Sequence, residues 1–134
     1  MKRALLDTDT VSYYFRQQPK VVEKVDTYLD VFGKICLSVV TYYEVLNGLY
    51  YKDARQQMEK FEEFESMNKI IPITLSSAKV SARIYADLRK TGRVIGHNDV
   101  LIAGNAVENK LTLITNNIKD FGKIDGLDID NWTF

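Results

Sequence analysis

Short apolar segments alternate with segments of helical periodicity along the chain, and this alternation is the strongest restriction on its fold. The apolar segments are residues 3–6, 34–38, 69–73 and 110–115. Between them, apolar residues recur three and four positions apart, as in residues 21–32, which is typical of amphipathic helices. Strands that alternate with helices predict an α/β fold with a mostly parallel sheet and helices on both of its faces.

The chain is predicted to form one domain over residues 1–134, with four to five short strands. No Pro/Gly-rich linker, internal repeat or low-complexity stretch divides it. The tail "IDGLDIDNWTF" alternates in character and predicts a last edge strand, while Pro72 places the strand of residues 69–73 at an edge or a strand end.

Capping residues predict where the helices begin. Thr41 followed three residues later by Glu44 indicates a capping box, and Ser76 and Ser77 are predicted caps of the helix that ends at Gly92.

Four acidic residues are predicted to share one edge of the sheet. Asp7 ends the first strand, Glu44 starts the helix after the second, Asp99 opens the helix before the fourth, and Asp120 follows the fourth. Ligands of parallel α/β sheets bind beyond the carboxyl ends of the strands, so these acids are expected to meet in one cleft. Carboxylates that are gathered in this way repel one another, and a divalent cation relieves the repulsion.

Each acid also has a purely structural interpretation. Glu44 fits the capping box with Thr41, Asp99 an N-cap, Asp120 a solvated loop position, and Asp9 a cap of a helix that starts near Thr10.

The residue types restrict the metal. His97 is the only histidine and Cys36 the only cysteine, so a zinc site built from nitrogen and sulfur ligands cannot form. Oxygen ligands alone select hard ions, Mg²⁺ or Mn²⁺, which hold phosphate oxygens and activate water. No glycine-rich phosphate-binding motif is present.

The overall charge does not predict a polyanion-binding protein, because 18 basic and 18 acidic residues cancel. Affinity for RNA therefore has to come from a local cluster, and Arg89 and Arg93, shortly before Asp99, are the candidates. One cysteine in an apolar run and no apolar run of membrane-spanning length predict a cytoplasmic protein without membrane contact.

These segments together resemble the PIN-domain family and, within it, the VapC-type toxins of toxin–antitoxin pairs. "LLDTDTV" resembles the opening strand with the first acid, and "LSVVTYYEVLNGL" the helix start with the second. "LRKTGRVIGHNDVLIAGNA" is similar to the segment with the third acid, "LTLITNNIKDF" to the last strand and loop, and "IDGLDIDNW" to the usual finish. The resemblance spans essentially the whole chain in the expected order.

The resemblance implies a metal-dependent endoribonuclease that hydrolyses RNA, commonly tRNA or another structured RNA, with one or two Mg²⁺ ions, or Mn²⁺. It also implies a VapB-like antitoxin partner and a homodimer. By position, the metal-binding and catalytic roles fall to Asp7, Glu44, Asp99 and Asp120.

The sequence departs from the pattern of the family at Asn117, where many PIN domains have an acid. Two arrangements stay open: Asp120 is the fourth carboxylate, or three acids act with Asn116 or Asn117 as polar support. Thr8 and Thr115 are expected to orient water or ligand through hydrogen bonds.

Two other interpretations remain open from the sequence. "LLDTDTV" also resembles the opening of haloacid-dehalogenase-like phosphatases, with Asp7 as nucleophile and Asp9 as general acid, although their later acidic motifs are missing and 134 residues are few for that fold. The other is a PIN-fold module that binds a partner without catalysis.

Overall fold

The computed structural model describes residues 1–134 as five parallel strands in one sheet with seven helices. The strands are β1 (Ala4–Leu6), β2 (Cys36–Ser38), β3 (Lys69–Ile71), β4 (Thr112–Ile114) and β5 (Ile129–Asp130). The helices are α1 (Thr8–Phe15), α2 (Pro19–Phe32), α3 (Val39–Tyr51), α4 (Arg55–Met67), α5 (Leu75–Lys90), α6 (His97–Glu108) and α7 (Ile118–Phe121). The strand order is β3-β2-β1-β4-β5, so both predicted edge strands, β3 and β5, are confirmed.

Apolar side chains cover both faces of the sheet, as the uninterrupted apolar strands predict. In β1, Ala4 and Leu6 belong to the core beneath α1, α2 and α4, whereas Leu5 belongs to the core beneath α5 and α6. Successive strand residues point to opposite faces, and β1 is buried on both. None of the seven helices combines the length and hydropathy that crossing a bilayer requires.

The predicted caps of two helices are wrong. The hydroxyl of Ser38, rather than that of Thr41, caps α3 by accepting a hydrogen bond from the N–H of Val40 at 3.1 Å. Thr41 is a buried residue in the first turn of α3, after the cap. Glu44 lies in the second turn and takes no part in a cap. In α5 the cap is Thr74, which forms a capping box with Ser77, so the helix begins earlier than predicted.

Helix α6 packs closely on α5 because residue 104 is a glycine. A Cβ atom on Gly104 would overlap the Oγ of Ser81 and lie 3.0 Å from the carbonyl oxygen of Ser77. Ser81 cannot swing away freely, since its hydroxyl donates a buried hydrogen bond to the carbonyl of Val100 at 3.1 Å.

We expect Gly104→Ala to destabilise the protein by about 1–3 kcal/mol because the helices must separate to admit the methyl group. Gly48→Ala is the matched control: Gly48 is interior to α3 and an added Cβ meets nothing within 4 Å. This control should stabilise the protein by roughly 0.5–1 kcal/mol, because alanine loses less backbone entropy in a helix. Urea unfolding at equal m-values measures both changes, and changes of the same sign would contradict the close α5–α6 contact.

Candidate active site

Asp7 is the most buried acid at the carboxyl edge of the sheet. It follows β1 directly, and its side chain is only 5% exposed. Its Oδ1 accepts a hydrogen bond from the N–H of Thr8 at 2.8 Å, which caps α1, and its Oδ2 accepts one from the hydroxyl of Thr115 at 2.7 Å. Both oxygens are thereby held in fixed positions at the end of β1.

The pKa of Asp7 is raised to about 7, chiefly because burial disfavours the charged form. The negative charges of Asp9 and, less strongly, of Asp99 raise this pKa further, while the hydrogen bonds from Thr115 and Thr8 oppose the shift. Asp7 is thus a carboxylate that lacks a compensating positive charge.

Glu44 reaches the same edge from α3 and is tied to two other helices. Its Oε1 accepts a hydrogen bond from the hydroxyl of Thr8 in α1 at 2.7 Å. Its Oε2 lies 3.5 Å from the Nδ2 of Asn98 in α6, which donates to it. Glu44 therefore lies where α1, α3 and α6 meet, and this position accounts for its side chain better than the predicted capping role.

Asp99 lies in the first turn of α6, whose N-cap is Gly96. The structural interpretation of Asp99 as the N-cap is therefore wrong. Burial raises the pKa of Asp99, and the negative charges of Glu44, Asp120 and Asp9 raise it further, in that order. Acids from three other segments are thus close enough to raise the pKa of Asp99.

Asp120 is held by its neighbours in and beside α7. Asn117 caps this short helix and also donates a hydrogen bond from Nδ2 to the Oδ2 of Asp120 at 3.2 Å. The ammonium group of Lys123 lies 3.5 Å from the other carboxylate oxygen. Asn117 therefore holds the Asp120 carboxylate in position.

Asp9, in the first turn of α1, connects this helix to the loop that follows β4. The predicted capping role of Asp9 is wrong, because Asp7 caps α1. The Oδ2 of Asp9 accepts a hydrogen bond from the backbone N–H of Asn116 at 3.0 Å, and its Oδ1 accepts one from the hydroxyl of Thr10 at 3.1 Å. The side chain of Asn116 points elsewhere and accepts from the Nδ2 of Asn131 at 3.0 Å.

The two residues predicted to bind RNA are exposed. Arg89 lies in the last turn of α5, and Arg93 lies in the connection to α6, four residues before His97. Neither makes an ion pair in the structure, so both guanidinium groups are free to contact phosphates.

A buried asparagine that sequence reasoning missed supports the site. Asn105 in α6 is fully buried, accepts a hydrogen bond from the hydroxyl of Ser38 at 2.6 Å and donates one to the carbonyl of Pro72 at 3.1 Å. It fixes α6, which carries Asp99, against the ends of β2 and β3. An amide among the small and apolar residues of "VLIAGNAV" is the only signal of this role in the sequence.

The donor atoms at this edge suit a hard divalent cation. They are carboxylate, hydroxyl and amide oxygens, which Mg²⁺ and Mn²⁺ prefer. No three acidic, histidine or cysteine side chains are close enough together to hold one ion at the same time. Mg²⁺ is usually held by only one or two carboxylates, with water and phosphate oxygens in its other positions, so this spacing fits it.

We expect the metal-free protein to lose stability as the pH rises, because the pKa of Asp7 is higher in the folded state than the ordinary value of 3.8. The contribution is complete below pH 4 and is lost as the pH rises to about 7. Between pH 5 and pH 8 the free energy of unfolding is expected to fall by about 2–3 kcal/mol. Urea unfolding in EDTA at the two pH values measures this loss.

The matched variant is Asp7→Asn, which cannot ionise and should be nearly as stable at pH 8 as at pH 5. Asp99→Asn should also reduce the loss of stability between pH 5 and pH 8, but by less than Asp7→Asn does, since Asp99 is only partly buried. An equal pH dependence in the wild-type protein and in Asp7→Asn would contradict the raised pKa of Asp7.

Comparison with known proteins gives a consistent result over the whole chain. Residues 4–127 match the family described as PIN domain. The ribonuclease VapC2 of Haemophilus influenzae is 30% identical over 133 residues, covering 98% of this chain and 99% of the relative. The tRNA(fMet)-specific endonuclease VapC of Shigella flexneri is 28% identical, with 99% and 100% coverage.

The fold is also similar to that in the crystal structure of DNA-bound VapBC from Salmonella typhimurium. The TM-score is 0.89 at 27% identity, covering 98% of this chain and 99% of the other. The sequence similarity and the structural similarity thus extend over the same residues as the sheet and its acidic edge.

Proposed function

The chain belongs to the PIN domain family and, within it, to the VapC ribonucleases, and from this premise we propose that it is the toxin of a VapB–VapC pair that hydrolyses RNA with Mg²⁺ or Mn²⁺. The observation that carries the metal dependence is the set of carboxylates at the sheet edge. Burial and mutual repulsion raise the pKa of both Asp7 and Asp99, so the site gains from a bound cation.

The cation would be held by one or two carboxylates at a time from the set Asp7, Asp99, Glu44 and Asp120. When bound, the cation supplies positive charge at the scissile phosphate and makes a water molecule easier to deprotonate. Thr115 and the N–H of Thr8 orient the Asp7 carboxylate, and the Thr8 hydroxyl orients Glu44. Because water rather than the ribose 2′-hydroxyl attacks, the products carry 5′-phosphate and 3′-hydroxyl ends.

The substrate we propose is a single-stranded loop of a structured RNA, with tRNA as the first candidate. The name of the Shigella flexneri relative, a tRNA(fMet)-specific endonuclease, supports this choice. The zero net charge also supports it, because such a protein has no general attraction for duplex RNA and needs contacts to accessible bases.

The test is cleavage of tRNA in Mg²⁺, followed by analysis of the product ends, with p-nitrophenyl phosphate as the parallel substrate. We expect RNA products with 5′-phosphate ends and no turnover of the ester. Hydrolysis of the ester alone would identify a phosphatase, and RNA binding without cleavage would identify a binding module.

A groove beside the acidic edge is the surface that we propose for the antitoxin. The groove has a volume of about 510 Å³ and lies between α1, α3 and α4. One end includes Thr8 and Glu44, so a segment bound there would obstruct the acidic site. Its floor is apolar and its rim is basic; the residues are Phe15, Val45, Leu49 and Phe61 in the floor and Arg16, Lys52 and Lys60 in the rim.

This combination fits a segment with apolar side chains and carboxylates, and the DNA-bound VapBC complex supports an antitoxin as its source. We expect Gly48→Gln to weaken the complex with the cognate VapB-like antitoxin by at least about tenfold. The added side chain fills the groove, but nothing lies within 4 Å of its Cβ in the free protein. Calorimetric titration measures the affinity.

Gly48→Ala is the matched control, because its methyl group leaves the groove open. Equal antitoxin affinities for the Gln and Ala variants would show that the antitoxin binds to another surface.

A further inference from the structure

Three planar side chains are stacked at the junction of α5 and α6. The rings of Tyr85 and His97 lie with their centroids 4.6 Å apart and their planes at 36°. The guanidinium carbon of Arg89, one turn after Tyr85, lies 5.8 Å from the centre of the tyrosine ring. Planar groups at these distances attract one another through their π-systems.

The stack has polar groups that nothing else in the structure uses. His97 and Arg89 are exposed and Tyr85 is partly exposed. The side chains of Tyr85, His97 and Arg89 make no hydrogen bond, and Arg89 has no ion pair. Packing alone does not require an exposed histidine at the first position of α6, so these groups are available to a ligand.

The stack lies directly beside the acidic edge. His97 begins α6, the next residue, Asn98, donates to Glu44, and Asp99 follows in the same turn. A group bound on His97 is therefore held on the same rigid turn as one of the carboxylates. This position, at the start of the helix that carries Asp99, suits a nucleotide near the phosphate that is cleaved.

We propose that Tyr85, His97 and Arg89 form a platform on which an unpaired base of the RNA stacks beside the scissile phosphate. The inference rests on the proposed function and names the part of the substrate that this surface takes. Unpaired bases bind proteins by stacking on aromatic rings and on arginine, and they use the free hydrogen-bonding groups for selection. In a chain without net charge, such stacking supplies affinity that general electrostatic attraction does not.

The test uses an RNA hairpin that carries the fluorescent base 2-aminopurine in its loop, bound to Asp7→Asn so that the RNA stays intact. Stacking quenches the fluorescence. We expect His97→Ala in this background to reduce the quenching and to weaken binding about tenfold. His97→Phe should restore both, because it retains a ring without the imidazole nitrogens.

Tyr51→Ala is the control for loss of an exposed aromatic ring, since Tyr51 is 91% exposed at the end of α3. It should change neither the quenching nor the affinity. Unchanged quenching in His97→Ala, or a loss that His97→Phe does not restore, would overturn the platform while wild-type cleavage of RNA still supports the proposed function. Failure of the wild-type protein to cleave RNA would instead overturn the proposed function.

Discussion

The Asp7→Asn variant is expected to lose RNA cleavage by at least about a thousandfold, whereas Asp9→Asn should lose less than about tenfold. Asp7 offers its carboxylate directly at the end of β1, and the neutral amide would no longer attract a cation. Asp9 instead contributes an acceptor for the N–H of Asn116. The side-chain carbonyl of an asparagine can still accept that hydrogen bond.

The contacts of Asp7 predict that the Asp7→Asn variant keeps its stability. Its loss of activity could then not be attributed to misfolding. The amide oxygen can accept from the N–H of Thr8, and the amide nitrogen can donate to the hydroxyl of Thr115 after that hydroxyl rotates. Removal of a buried charge also favours the folded state above pH 7. Initial rates on tRNA and urea unfolding of the same preparations measure both properties.

The pair of variants also separates the ribonuclease from the phosphatase that the opening sequence resembles. A phosphatase of that class would use Asp7 as nucleophile and Asp9 as proton donor, so both variants would be inactive. Equal loss in the two variants, with wild-type turnover of p-nitrophenyl phosphate and none of RNA, would contradict the ribonuclease. Membership of the PIN domain family does not favour the phosphatase.

The arrangement of strands could be predicted because it depends on local patterns. Four apolar segments and an alternating tail are the five strands, and their parallel order brings Asp7 and Asp120 to one edge. The caps were less predictable, because a serine or threonine occurs near several helix starts and only the backbone course decides which hydroxyl reaches an N–H. Ser38 and Thr74 take that role in place of the predicted Thr41 and Ser76.

The contacts that tune the site could not be predicted, because they join residues far apart in the chain. Thr8 and Glu44 are 36 residues apart, and Ser38 and Asn105 are 67 apart. The pKa shift of Asp7 depends on its burial under surrounding elements, which no short motif encodes. The stack of Tyr85 and His97 likewise requires the packing of α5 on α6.

Chelation is expected to stop RNA cleavage completely, and Mg²⁺ or Mn²⁺ should restore it. The acidic edge provides oxygen ligands only, and burial together with the charges of neighbouring carboxylates raises the pKa of Asp7 and of Asp99. With one histidine and one cysteine in the chain, a zinc site of the usual type cannot form, so Zn²⁺ should not substitute. Cleavage assays in EDTA followed by addition of each metal measure this requirement.

A second measurement tests the same cation without relying on activity. At pH 8, Mg²⁺ at about a hundred times its Kd should stabilise the wild-type protein by roughly 2–3 kcal/mol, because it binds the folded state. Asp7→Asn should gain much less, since the buried carboxylate that the cation would neutralise is absent. Full RNA cleavage in chelator, or equal stabilisation of the two proteins by Mg²⁺, would contradict a metal site at Asp7. Stabilisation of the wild-type protein alone would link the raised pKa of Asp7, the pH dependence of stability and the need for a cation to a single buried carboxylate.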